Sequence, residues 1–159
     1  MKQKEIVLEQ LRAMGFELIE VEDMGYIFKY EGVNFLYMTD DEDDKFLRIA
    51  IPHLFEVTQE NRTAVLEAIH ETSLILKYVK LFVMCDTAVW AVYEHYLLSA
   101  DNLPQLLEHI LRGLETAVEV FYKQINGESP YEYFSSSGEI SDAEIEEELQ
   151  KALDNFDNE

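Results

Sequence analysis

The feature that most constrains the fold of this chain is a series of short apolar segments separated by turn sequences. The short connection Glu31-Gly32 between the first two segments predicts a tight β-hairpin. Pro52 is expected to close the third segment, because proline cannot donate to a central ladder. Strands that follow one another so directly are expected to pair antiparallel. The three predicted strands cover residues 26–30, 34–38 and 46–51.

Three helices are predicted around these strands, because apolar residues recur there at helical spacing. The first is terminated by Gly15 as its C′ residue, the second has Thr58 as its expected N-cap, and the third starts after Asp101 or Asn102. A second strand pair is predicted around a turn at Asp86-Thr87. The helices are predicted over residues 3–14, 59–73 and 103–125, and the strand pair over 79–84 and 88–96.

The order of these elements is α-β-β-β-α-β-β-α. Runs of adjacent strands predict an α+β domain, with an antiparallel sheet of about five strands and helices on one face. This domain is expected over residues 1–125. Residues 126–159 are expected to form an acidic linker and tail, because Gly127, Pro130 and the run at 135–138 have linker chemistry.

The net charge of the chain, −21, bears on its partners. Residues 1–125 contain 22 acidic and 11 basic residues, and residues 126–159 contain 11 acidic and one basic. A surface this negative repels phosphate backbones and anionic membranes, so neither a nucleic acid nor a membrane is an expected partner. It favours partners with basic segments.

The compartment is inferred from cysteine usage and hydropathy. Cys85 is the one cysteine of the chain, so an internal disulfide is impossible, which suits a reducing compartment. The first residues lack the apolar segment of a signal peptide, and no apolar run approaches the length of a membrane span. We therefore expect a cytoplasmic protein.

Catalytic and metal-binding motifs are not evident. The acidic run at 40–44 fails as an EF-hand loop, since Lys45 and Ile51 occupy its glycine and glutamate positions. The four histidines are scattered, and Cys85 is expected to be a half-buried small hydrophobe. We expect no enzyme activity, no cofactor and no metal. The competing hypothesis is an enzyme that uses Glu94, His95 or Cys85.

Both faces of the first hairpin carry apolar side chains. Phe28 and Phe35 belong to an aromatic face, whereas Ile27 and Leu36 belong to the opposite one. One face is expected to be an ordinary core, and the other then needs a cover: the tail, a second copy in a homodimer, or a partner protein. The residues predicted to bind a partner on the sheet are Tyr26, Phe28, Tyr30, Phe35, Tyr37 and Trp90.

The tail carries one helical signal. Ser141 and Glu144 have capping-box spacing, and an apolar stripe follows on one side of the predicted helix. A helix this short is marginal in water, so we expect it to pack on a protein surface. The alternative is a solvated acidic extension. The predicted contact residues are Leu149, Leu153 and Phe156, in a stripe that begins at Ile145.

The complete pattern resembles the YbjN-like family, which has the fold of type III secretion chaperones. The resemblance covers about residues 3–125 and is a pattern of hydrophobicity and turns. It is carried by Asp23-x-Gly25-Tyr26-x-Phe28-x-Tyr30-x-Gly32, by Phe46-Leu47-Arg48-Ile49-x-Ile51-Pro52, by Arg62-x-x-Val65-Leu66-Glu67, by Val79-Lys80, by Trp90 and by Phe121-Tyr122.

The resemblance implies a bacterial domain, commonly dimeric, that acts on other proteins as a chaperone or regulatory adaptor without a cofactor. Shared fold does not determine function. The sequence therefore predicts a non-enzymatic module that binds a polypeptide. The alternative is a small-molecule sensing domain with a pocket lined by Tyr26, Phe28, Tyr37 and Trp90.

Overall fold

A six-stranded antiparallel sheet and three helices make up the first of two units into which this computed structural model divides, Met1–Glu128 and Ser129–Glu159. The structure describes the backbone of residues 2–127 and 142–157, and the side chains of 2–127 and 146–155. The strand order in the sheet is β1-β2-β3-β4-β6-β5. The elements are α1 (Gln3–Ala13), β1 (Ile19–Val21), β2 (Gly25–Tyr30), β3 (Val33–Met38), β4 (Phe46–Glu56), α2 (Arg62–Ile75), β5 (Val79–Met84), β6 (Ala88–Tyr96), α3 (Leu103–Ile125) and, in the second unit, α4 (Asp142–Asp157).

The predicted α+β class and antiparallel sheet are confirmed, with two differences in the strands. The three-residue strand β1 pairs with β2 and raises the strand count to six. The end of β4 was wrongly predicted, since the strand continues past Pro52 to Glu56. The pairing of β4 with β6 shifts register between Ile51 and Phe55. A proline is tolerated at such a bulge, because the ladder there needs no N–H from it.

The start of α2 also differs from the prediction. Thr58 opens a turn before the helix, in which its backbone N–H donates to Asn61 Oδ1 at 2.7 Å. The Asn61 N–H donates in return to Thr58 Oγ1 at 3.2 Å, and α2 begins at Arg62. The helix in the tail is confirmed as α4. Its predicted capping box at Ser141 and Glu144, and the linker residues between the two units, lie outside the described residues.

The helices α1, α2 and α3 cover one face of the sheet, as predicted. The core between them is continuous, and its most completely buried aromatic residues are Phe28, Phe35 and Phe121. Helix α3 contributes the largest set of buried residues, which recur every three or four positions along it. They are Leu103, Leu107, Ile110, Leu111, Leu114, Ala117 and Phe121.

The acidic run at 40–44 is a loop between β3 and β4 with two structural roles. Asp40 Oδ1 accepts the backbone N–H of Glu42 at 2.9 Å, which shapes the turn. The carboxylate of Asp44 accepts the backbone N–H of Gln3 at 3.1 and 3.3 Å. Gln3 is the first residue of α1, so Asp44 satisfies an N–H that the helix leaves free and places a negative charge at its positive end.

Asp44→Ala is expected to lower the free energy of unfolding by about 1 kcal/mol, the usual loss for a helix capping group. Chemical denaturation measures this difference. The control is Asp41→Ala, because the carboxylate of Asp41 is 89% exposed and, within the described part of the chain, forms its one ion pair with Lys4 Nζ, at 3.7 Å. Equal losses in the two variants would mean that the contact from Asp44 to α1 contributes nothing specific.

Candidate functional site

The sheet face opposite α1, α2 and α3 is here called the distal face. Residues paired across neighbouring strands point to the same side of a sheet, so the strand register defines this face. Its most extended row crosses all six strands, from Ile19 on β1 to Lys80 on β5. The distal face consists of Ile19, Val21, Gly25, Ile27, Lys29, Asn34, Leu36, Met38, Phe46, Arg48, Ala50, Glu56, Lys80, Phe82, Met84, Ala88, Trp90, Val92, Glu94 and Tyr96.

The centre of the distal face is a second apolar cluster, separate from the main core. Leu36, Ala50 and Val92 are at most 2% exposed there. Toward the edges the aromatic and aliphatic side chains become accessible, and Ile19 and Tyr96 are 61% and 53% exposed. Every described residue of this cluster belongs to a strand. The partly buried residues packed around its centre are Ile27, Met38, Phe82 and Trp90.

Three charged side chains from three strands lie beside the apolar centre of the distal face. Arg48 on β4 and Lys80 on β5 both approach the same carboxylate oxygen of Glu94 on β6. The distances to Glu94 Oε1 are 3.3 Å from Arg48 Nε and 2.8 Å from Lys80 Nζ. Two cations therefore share one carboxylate, and this group of three side chains has an excess of positive charge.

The charge of the distal face is opposite in sign to that of the rest of the protein. The face contains three basic residues, Lys29, Arg48 and Lys80, against two acidic residues, Glu56 and Glu94. Residues 1–125 as a whole contain 11 basic and 22 acidic residues. The distal face is thus apolar with a slight excess of basic residues, on a strongly acidic protein, and its second carboxylate, Glu56, lies beyond the β4 bulge.

The structure separates the aromatic residues that the sequence predicted to bind a partner. Phe28, Phe35 and Tyr37 are 2%, 0% and 4% exposed in the main core, under the helices. Tyr26 and Tyr30 are partly buried and pack against that same core. Burial, aided by the charge of Asp44 and by Tyr26, raises the pKa of Tyr37 to about 12. The predicted aromatic face is therefore mainly the ordinary core.

Trp90 is the one predicted sheet residue that lies on the distal face, where it pairs with Phe82 of β5. In the tail, Leu149 and Leu153 are 58% and 59% exposed on α4, and the side chain of Phe156 lies outside the described residues. Sequence reasoning did not assign a role to Phe82 or Arg48. The only available signal was the alternation along each strand, which places Ile27, Leu36 and Met38 opposite the aromatic set.

The structure does not bring together Glu94, His95 and Cys85, the residues of the alternative hypothesis of an enzyme. Glu94 and His95 are neighbours on β6 and therefore point to opposite faces of the sheet. Cys85 lies at the other end of β6, in the turn after β5, and it is exposed there rather than half-buried as expected. A positive φ of 51° places Cys85 in the left-handed region that such hairpin turns require.

An aromatic pocket for a small molecule would need Trp90 beside Tyr26, Phe28 and Tyr37, but Trp90 lies on the opposite face. A cavity of about 640 Å³ next to β1 has a polar lining that includes Glu20, Glu22 and Asp23. Among the described residues, no group of three or more His, Cys, Asp or Glu side chains is placed to hold a metal ion. None of the described helices has the length and apolar character required to span a membrane.

Comparison with known proteins identifies the fold and not the function. No protein-family model matches the chain, and no curated protein matches it. An uncharacterized protein from Methanothermobacter thermautotrophicus superposes with a TM-score of 0.52 at 15% sequence identity, over 77% of this chain and 99% of that one. YbjN from E. coli, a proposed transcription regulator, superposes with a TM-score of 0.58 at 10% identity, over 72% of this chain and 87% of that one. The relationship to YbjN is a distant one of fold.

Proposed function

We propose that this protein is a non-enzymatic module that binds another polypeptide through the distal face of its sheet. The observation that carries the proposal is the apolar cluster around Leu36, Ala50 and Val92, which the three helices of the first unit do not cover. Contiguous apolar surface that remains accessible at its edges is typical of protein interaction sites. Trp90 and Tyr96 add aromatic side chains, which are enriched in such interfaces.

The likeness in fold to YbjN supports a regulatory or adaptor role, since that protein is itself a proposed regulator. A nucleic-acid partner is not favoured, because the net charge of −21 opposes the approach of phosphate backbones. A chaperone-like activity, a homodimer and a cytoplasmic location stay predictions. A second surface for a partner is the exposed stripe of Leu149 and Leu153 on α4.

Photo-crosslinking in the native host tests where a partner binds. Tyr96, 53% exposed on the distal face, is replaced by p-benzoylphenylalanine. We expect light-dependent adducts that contain another polypeptide, identified by mass spectrometry. The matched control places the same amino acid at Leu66, which is 44% exposed on α2. Trp90→Ala is expected to reduce the adducts at position 96 by about tenfold, as for loss of an aromatic contact at the centre of an interface.

The result decides between several outcomes. Adducts at position 96 with the mass of two copies of this chain would identify the homodimer, and adducts with the mass of one copy would identify its own tail as the occupant. Equal adducts at positions 96 and 66, or none at position 96, would contradict the proposal.

A further inference from the structure

The guanidinium of Arg48 is held in place on the distal face with hydrogen-bonding capacity to spare. Its Cζ lies 4.8 Å from the centroid of the Phe46 ring, two residues earlier on β4, a distance typical of a cation over an aromatic face. Its Nε lies 3.3 Å from Glu94 Oε1, but the angle does not make a hydrogen bond, so this buried nitrogen lacks one in the described part of the chain. The side chain of Arg48 remains 35% exposed.

The remaining donors of Arg48 have no acceptor among the described residues, since its only ion pair is the one through Nε. A planar guanidinium with two free terminal nitrogens matches the geometry of a carboxylate, which it can bind with two parallel hydrogen bonds. Stacking on Phe46 limits the rotation of the group, so less freedom is lost when an acceptor binds. Arg48 is therefore a preformed receptor for a carboxylate at the edge of an apolar surface.

We propose that the distal face binds an acidic amphipathic polypeptide segment, with Arg48 receiving a carboxylate of that segment and Phe82 and Trp90 receiving its apolar side chains. This inference rests on the proposed function and specifies the chemistry of the partner. It reverses the expectation from the net charge alone, which favours basic partners. At physiological salt charges are screened over about 8 Å, so local charges at the contact outweigh those on distant surfaces.

Charge also argues against a second copy of this chain as the occupant. Two distal faces brought together would each present three basic residues against two acidic residues. Glu94 of each copy is already engaged by two cations of its own chain, so it is poorly placed to neutralise the other copy. An acidic segment has no such conflict, because it supplies carboxylates to a face on which basic residues outnumber acidic ones.

Trp90 makes the site directly observable, because it is the single tryptophan of the chain. The full-length protein is titrated with a peptide of three Glu-Leu-Glu-Phe repeats, and the emission of Trp90 is followed at about 150 mM salt, where non-specific charge effects are weak. We expect a saturable change. A peptide of three Lys-Leu-Lys-Phe repeats has the same apolar content and opposite charge, and it should bind at Trp90 at least about tenfold more weakly.

Three variants test the role of Arg48. Arg48→Gln should lower the affinity for the glutamate peptide by about tenfold, the loss expected for a charge-assisted hydrogen bond at a partly exposed site. Arg48→Lys keeps the charge but loses the planar pair of donors, so its affinity should be intermediate. Glu94→Gln should strengthen binding several-fold, because it releases both Arg48 and Lys80. Arg12→Gln, which removes a cation from α1, is the matched control and should change nothing.

The outcomes separate this inference from the proposed function. Equal binding of the two peptides, or tighter binding of the lysine peptide at Trp90, would overturn the inference and leave polypeptide binding at the distal face intact. An absence of any change in Trp90 emission would also overturn it, while the crosslinking experiment judges the proposed function independently. Emission that depends on protein concentration without peptide would identify a second copy as the occupant and refute the proposal. Circular dichroism of each variant verifies that it is folded.

Discussion

Phe35→Ala is expected to lower the free energy of unfolding by about 3–5 kcal/mol, the loss typical of a large aromatic side chain removed from a core. Phe35 is fully buried under the helices. Its ring stacks on Phe28 with centroids 5.6 Å apart and meets the edge of Tyr30 at 5.8 Å. Removal of the ring leaves a cavity and exposes two aromatic neighbours to it. Chemical denaturation followed by circular dichroism measures the loss.

The matched control is Tyr96→Ala, which removes an aromatic residue from a strand on the distal face. Because Tyr96 is 53% exposed, its removal should cost less than about 1 kcal/mol. Comparison of the two variants therefore tests the roles of the two sheet faces. We expect the face of Phe35 to stabilise the fold and the face of Tyr96 to bind a partner. A loss below about 1 kcal/mol for Phe35→Ala would show that its face is not the core of the protein.

Gly25→Ala is expected to be at least as destabilising, by about 3 kcal/mol or more, because it combines a clash with backbone strain. A Cβ atom on Gly25 would lie 1.9 Å from the carbonyl oxygen of Tyr37, in the neighbouring strand β3. The φ of Gly25 is +149°, a conformation that residues with a side chain rarely adopt. Relief of the clash requires β2 and β3 to separate, and this breaks their ladder at its first pair.

Gly32→Ala is the control for the second prediction. Gly32 also has a positive φ, +78°, but a Cβ atom there meets nothing within 4 Å. Its replacement should cost about 1 kcal/mol, the contribution of the left-handed backbone alone. Melting temperatures of the two variants compare the effects. Similar losses at both positions would show that the close approach of Gly25 to Tyr37 does not limit stability.

The sequence by itself determined the type and order of every element of the first unit except the short strand β1. The alternation in β2 and β3 and the stripe along α3 are local patterns, so they are readable from one segment at a time. The β5 and β6 bounds and those of α3 match their predictions residue for residue. Local signals were less decisive at Thr58 and Pro52. A turn precedes α2 at Thr58, and a bulge accommodates Pro52 within β4.

Only the tertiary structure decided which apolar face became the core. Both faces of the first hairpin are apolar, with Phe28 and Phe35 on one side and Ile27 and Leu36 on the other. Which of the two faces is buried depends on where helices distant in the sequence pack. The site at Arg48 depends on strand register in the same way. Glu94 follows Arg48 by 46 residues in the chain, and pairing of β4 with β6 places the two side by side. Side-chain contacts across such a separation are set by how the strands pair, which no single segment of sequence specifies.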